Sequence, residues 1–172
     1  MYAYGIARAL TDLYPDADPE VVLLGIMLHD TGWSHVPEAE ILKAKTPRGN
    51  RTDLVILHEK EGARIAVETL TSLGHDAARI TEIGQIIDGH DSRLTALSLN
   101  DALLKDADKL WRLTPHGLDT VMNWFGLTRE QAHRPVANRV HEHLFTDAAR
   151  TMARVMAAVA WVDSSPQRIA LG

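Results

Sequence analysis

No segment of this chain alternates apolar and polar residues with period two, and no Asn-Gly pair marks a hairpin turn. Apolar residues instead recur every three or four positions, between residues that start and stop helices. The pattern predicts an all-α fold, a helical bundle. The first helix runs from about Tyr2 to Tyr14. Asp18-Pro19-Glu20 supplies a cap, a proline for the first turn and an acid near the positive dipole end, opening a helix to about Leu28 that ends near Gly32. A short helix from Pro37 to about Ala44 lies before the break Pro47-Arg48-Gly49-Asn50. Thr52 or Asp53 caps a long helix to about Leu73, closed by Gly74. Further helices run from about Asp76 to Ile87, from Ser98 or Asn100 through Trp111, and from Gly117 to Phe125. Thr128 with Gln131 forms a capping-box pattern. The last helix opens at Thr146 or Asp147 and reaches about Val162, before Ser164-Ser165-Pro166.

Composition narrows the function. The 172 residues suit one domain over 1–172, and no linker divides them. Apolar residues make up 45% and charged residues 24%, an ordinary globular balance. A net charge of −5 gives no basic footprint for a nucleic-acid polymer. No apolar stretch is long enough to span a membrane, and MYAYGIARAL lacks the basic start and long apolar region of a signal peptide. With no cysteine there are no disulfides or thiolate ligands, which fits a reducing, cytoplasmic setting. The late helices offer a surface for a homodimer, although no heptad pattern specifies one.

The informative residues are polar ones on apolar stripes. In VVLLGIMLHDTGW a histidine and an aspartate, His29 and Asp30, end a strongly apolar run. On the helix after Asp53 the stripe reads Leu54, Leu57, Ile65 and Thr69; His58 lies on it, Glu59 and Lys60 off it. Ile80, Ile83 and Ile87 form the next stripe, which His90 continues. Leu104, Ala107 and Trp111 form another that includes Asp108, with Lys105, Asp106 and Lys109 projecting elsewhere. His29, Asp30, His58, His90 and Asp108 are therefore expected to point inward. A buried carboxylate is costly unless paired or bound to a metal. Imidazole with carboxylate suits Mn, Fe, Co or Zn, and one shared metal site satisfies all five groups.

This arrangement resembles the HD-domain superfamily of metal-dependent phosphohydrolases. The His-Asp pair is His29-Asp30, HEKEGA is similar to the family's H-x-x-x-G-A segment, IIDGHDS supplies a second intermediate histidine, and KDADKLWRL is similar to its A-D-[RK]-L segment. The likeness spans about residues 2–112. It implies His29, Asp30, His58, His90 and Asp108 as ligands of one or two divalent transition-metal ions, with Asp30 bridging. His29 and Asp108 would hold one ion, His58 and His90 the other. His29 and Asp30 form the expected catalytic pair. The implied reaction is hydrolysis of a phosphoester of a small metabolite or nucleotide by a metal-activated water. The same ligand set also serves HD-type di-iron oxygenases, and a third reading is a catalytically weakened protein that binds metal or nucleotide. The family's first histidine has no counterpart before His29, and Tyr2 has no cap before it. The expectation is that Met1 is not the natural start and that a longer product carries this histidine; the alternative is loss of the ligand.

Cations that suit a phosphate are Arg93, Lys109 and Arg112, with Lys45 and Arg51 from the cluster Lys43, Lys45, Arg48 and Arg51. Trp33 stands where some relatives carry lysine. Asp91 either orients an imidazole or ends a helix. His141-Glu142-His143 reads as an exposed helix face, since residues two apart do not share a side. His35, His75, His116 and His133 are assigned to loops or helix ends, and Met152, Met156 and Trp161 to core packing.

Overall fold

The computed structural model describes residues 2–45 and 51–163, so the breaks at 46–50 and 164–166, with Arg48, lie outside the described residues. Among the described residues the structure is all-α, with nine α-helices and no strand. They are α1 (Tyr2–Thr11), α2 (Pro19–Leu28), α3 (Glu38–Lys45), α4 (Thr52–Ser72), α5 (Ala77–Ile87), α6 (Leu99–Leu110), α7 (Pro115–Phe125), α8 (Arg129–Glu142) and α9 (Asp147–Asp163). Short 3-10 turns cover Thr31–His35 and Trp111–Leu113. None of these helices is long and apolar enough to cross a membrane.

Most starts follow their capping residues. The Asp18 carboxylate accepts from the N–H of Glu20 at 2.9 Å and of Val21 at 3.4 Å. Asp76 accepts from Ala78 and Arg79, and Ser98 from Asp101. Thr128 and Gln131 complete a reciprocal capping box. Three boundaries differ from expectation. Helix α1 stops at Thr11, short of the expected Tyr14, and turns follow it. Helix α4 begins after Arg51, without a side-chain cap. Helix α7 begins two residues before Gly117, because Thr114 caps it and Pro115 is preorganised for its first turn. Gly126, at φ 61°, ends α7 in the left-handed region.

Helix α6 runs through the interior, packed by α1, α2 and α9. Leu103, Leu104 and Leu110 join Leu10, Val22 and Ile87 in the core. Being enclosed, α6 has little solvent face, which corrects the expected placement of two residues. Lys105 is 1% exposed, and its ammonium donates to the carbonyls of Arg93 (2.8 Å) and Thr95 (3.1 Å). Asp106 is fully buried and accepts from Phe145 N, Thr146 N and Thr146 Oγ1, tying α6 to the start of α9. Burial pushes the Asp106 carboxyl up, against the lowering effect of those hydrogen bonds. Lys105 and Asp106 thus each have hydrogen-bond partners for a buried charge.

The stripe on α4 is also rotated from the expected one. Leu54, His58, Gly62, Ala66 and Leu70 are buried at a strict spacing of four, with Glu59 beside them, while Leu57 and Thr69 are exposed. The reason lies at Gly62 and Gly32. A Cβ on Gly32 would sit 1.9 Å from the His58 carbonyl oxygen and 2.5 Å from Gly62 N; one on Gly62 would sit 2.9 Å from the His29 carbonyl oxygen. Two glycines face each other, so α4 presses its backbone against the turn after α2. That contact brings His58 within reach of His29 and Asp30. Gly32→Ala is expected to destabilise the fold by about 3 kcal/mol through overpacking. Urea denaturation checks this; a loss well under 1 kcal/mol would contradict the close approach.

Candidate metal centre

His29 caps the C-terminus of α2, and its backbone N–H donates to the Gly25 carbonyl. Its Nδ1 lies 2.8 Å from the Ile26 carbonyl oxygen. The same device appears after α5. Gly89, at φ 112°, reverses the chain, and His90 Nδ1 comes 2.9 Å from the Ile87 carbonyl oxygen. A carbonyl oxygen only accepts, so in each ring Nδ1 carries the proton. The neutral ring then presents the lone pair of Nε2 inward. This is the usual arrangement of a metal-ligating histidine, whose other nitrogen is held by a hydrogen bond. Both helix ends also gain a partner for a terminal carbonyl.

The third imidazole comes from the middle of α4. His58 lies flat on the Trp33 indole, with centroids 3.9 Å apart and planes at 12°. Its Nε2 is 3.4 Å from His90 Nε2 and 3.8 Å from Asp30 Oδ1. His90 Nε2 lies 3.7 Å from Asp30 Oδ1, and His29 Nε2 lies 3.5 Å from Asp30 Oδ2 and 3.4 Å from Asp108 Oδ1. All five expected ligands therefore converge. His29 Nε2 is buried with no hydrogen-bond partner, although it faces two carboxylates. Three ring nitrogens turned toward one carboxylate make a donor set that fits a divalent transition metal.

One member was not expected as a ligand. Asp91 Oδ2 lies 3.8 Å from both His58 Nε2 and His90 Nε2. The donors form two tight groups, His29–Asp30–His90 and His58–His90–Asp91, each within 4.8 Å. His90 belongs to both, so the division of ligands is less clean than the pairwise one expected. Asp91 is set in place by Glu59, whose Oε1 accepts the N–H of Asp91 and of Ser92 at 2.7 Å each, while Oε2 accepts the Ser92 hydroxyl. His-Asp pairs stand just past helix ends at 29–30, 75–76 and 90–91. The available signal was that the pair at 90–91, unlike that at 75–76, continues the apolar stripe of the helix before it.

The carboxylates create a field that favours positive charge. Burial opposes a charged His90, but the nearby carboxylates of Asp30, Asp91 and Asp108 outweigh it and push its pKa up to about 9. His29 is raised against burial by Asp30 and Asp108. Burial and the neighbouring His90 lower His58. Asp108 is held well below the carboxylate range, because Arg112 and His29 overcome the effect of its burial.

The expected phosphate-binding cations divide into two sets. Lys45 Nζ is 4.0 Å from Asp30 Oδ2 and lies over the Trp33 ring, so α3 brings an ammonium to the edge of the centre. Arg112 Nη1 holds the Asp108 carbonyl at 2.8 Å and reaches its carboxylate at 3.4 Å. Lys109 forms no ion pair or hydrogen bond among the described residues and lines the cavity beside the centre. Arg93 is engaged elsewhere, clasping the Asp88, Gln85 and Ile86 carbonyls at the end of α5 and the buried Asp101. Arg51 pairs with Glu40 and Asp53.

The remaining histidines lie apart. His141 and His143 are exposed, as read from their spacing. His133 is buried inside α8 rather than at an end, with Nε2 2.8 Å from the Ala157 carbonyl oxygen. Trp161, expected in the core, is exposed and lies against His133 and Arg134, while Met152 and Met156 pack on the core as expected.

A family model described as the HD domain matches residues 1–113, which covers α1 to α6 and the turn Trp111–Leu113. No curated protein and no solved structure matches the chain.

Glu59 holds the Asp91–Ser92 segment through three hydrogen bonds, one from Asp91 and two from Ser92, so its removal should loosen the second group of donors. Glu59→Gln is expected to weaken Mn(II) binding about tenfold and Glu59→Ala about 100-fold, by titration calorimetry; unchanged affinity in the alanine variant would contradict the assignment. The pH dependence follows from His90. Its folded pKa of about 9 stands above the unfolded value of about 6.5. Its contribution to stability is therefore full below pH ~6.5 and lost as pH rises through ~9. The melting temperature of the metal-free protein should fall over that window, and His90→Gln should flatten the decline.

Proposed function

Because the chain belongs to the HD domain family, we propose that it is a metal-dependent phosphohydrolase that cleaves phosphoesters of small molecules. The observation that carries this reading is the pair of Nδ1–H bonds to Ile26 and Ile87. They turn two buried Nε2 lone pairs, with that of His58, toward Asp30. HD domains bind divalent metals, and the two donor groups offer places for one or two ions. His29, Asp30 and His90, with Asp108 beside His29, would hold one, and His58, His90 and Asp91 the other. When bound, such an ion supplies Lewis acidity, lowering the pKa of a water and offsetting charge on phosphoryl oxygens.

The chain's own residues do the rest. Lys45 and Arg112 flank the carboxylates and attract the phosphoryl group, Lys as a point charge and Arg through its planar fork. Lys45, beside Asp30, supplies a proton to the departing oxygen. The Trp33 ring covers one face of His58 and keeps water from it.

One observation favours a second reading. His58, His90 and Asp91 form a two-histidine, one-carboxylate group, a set suited to iron(II) oxygenases. Purified protein loaded with Mn, Fe, Co or Zn and offered phosphomonoesters and phosphodiesters tests both. Hydrolysis that falls at least 100-fold in Asp30→Ala, with helicity unchanged by circular dichroism, is the expected result. Metal binding without turnover would leave a binding protein, and iron-dependent oxygen uptake would support the oxygenase.

A further inference from the structure

A cavity of about 640 Å³ opens beside the candidate centre. One end is formed by Trp33, Lys45, Asp91, Lys109 and Arg112, residues of the centre or its flank. The other end comes from α7, α8 and their connections, which lie beyond the span that matches the family: Trp124, Phe125, Leu127, Val136 and Leu144. Lys45 joins the two ends, with its ammonium 4.8 Å from the Trp33 ring and 5.1 Å from the Trp124 ring. The volume far exceeds what a bare phosphate fills and lies in the range of organic-ligand pockets. Its polar lining is uneven. Lys45, Lys109 and Arg112 stand at the metal end, with Arg93 also in the lining, and the other end is mostly rings and aliphatic side chains, with Arg139, Glu142 and His143 as its polar members. A nucleobase is recognised by hydrogen bonds to its edges, and an unpaired polar edge against hydrocarbon is penalised. A hydrocarbon group has no such requirement.

The geometry points to a phosphate monoester of a hydrophobic alcohol as the ligand of this cavity, its phosphoryl group at Lys45, Lys109 and Arg112 and its hydrocarbon against Trp124, Phe125 and Leu127. The inference rests on the phosphohydrolase reading for the cleavage of that ester, while the binding preference stands on the cavity alone. Helices α7 and α8 then act as the specificity wall of the site.

The test compares two alcohols of similar acidity, so that the chemistry of the leaving group is matched. Hexylphosphonate and methylphosphonate are titrated by calorimetry into the Mn-loaded protein, and hexyl phosphate and methyl phosphate are compared as substrates. Each fully buried methylene strengthens binding roughly fourfold, so burying even half of the added chain against the wall should make hexyl exceed methyl by about 30-fold or more in Kd and in kcat/KM. Leu127→Asp should bring that ratio to within about threefold, and Trp124→Ala is the alternative should the first variant unfold. Hexyl preference in binding without hydrolysis of either ester would uphold the cavity's assignment and end the hydrolase reading. Binding of the two phosphonates within threefold of each other in the wild-type protein would overturn the assignment, whether or not phosphoesters are cleaved.

Discussion

Two hydrogen bonds from imidazole to backbone organise this molecule. His29 and His90 each follow the end of a helix, where carbonyls lack intrahelical partners, and each gives its Nδ1–H to the carbonyl three residues back. The bond fixes the ring plane and the tautomer at once. With Nδ1 protonated, Nε2 faces inward as a lone-pair donor, in surroundings where water cannot reach it. Burying such a nitrogen without a partner is unfavourable, and three carboxylates nearby sharpen the demand for a cation. The rest of the fold answers that demand or makes it possible.

The backbone approach of α4 is the second constraint. Gly32 and Gly62 remove the side chains that would keep the two segments apart, and His58 enters the space so opened. Trp33 then lies against His58, and its indole N–H donates to Asp30 at 3.0 Å. Behind the centre, buried charges are paired to backbone. Lys105 holds the loop carbonyls of Arg93 and Thr95, Asp101 takes the Arg93 guanidinium, and Asp106 anchors the start of α9. These contacts keep the segment that carries His90 and Asp91 at a fixed distance from α6, which carries Asp108.

Much of this was legible in the residues themselves. Capping residues located most helix starts, and the positions of His58, His90 and Asp108 on apolar stripes marked them as inward. What escaped were features that depend on enclosure. Lys105 and Asp106 look like solvent-facing residues on a helix with one apolar side, and only the packing of α1, α2 and α9 around α6 makes them interior. Glu59 looks displaced from the stripe of α4 because Leu57 and Thr69 draw the eye to the wrong face; the spacing of Leu54, His58, Gly62 and Ala66 defines the true one. Asp91 could not be separated from a helix-ending residue, because its role depends on Glu59, 32 positions away. The direction of Arg93 was equally hidden, since guanidinium suits phosphate and carbonyl alike.

Three imidazole nitrogens turned toward one carboxylate define a cation site. Crystals soaked in Mn(II), with data collected across the manganese absorption edge, test it directly. An anomalous peak about 2.2 Å from the Nε2 atoms of His29 and His90 or of His58 and His90, with Asp30 within the same distance, is the result predicted. Anomalous density absent from this cluster, with His58 and His90 still bonded ring to ring, would contradict it.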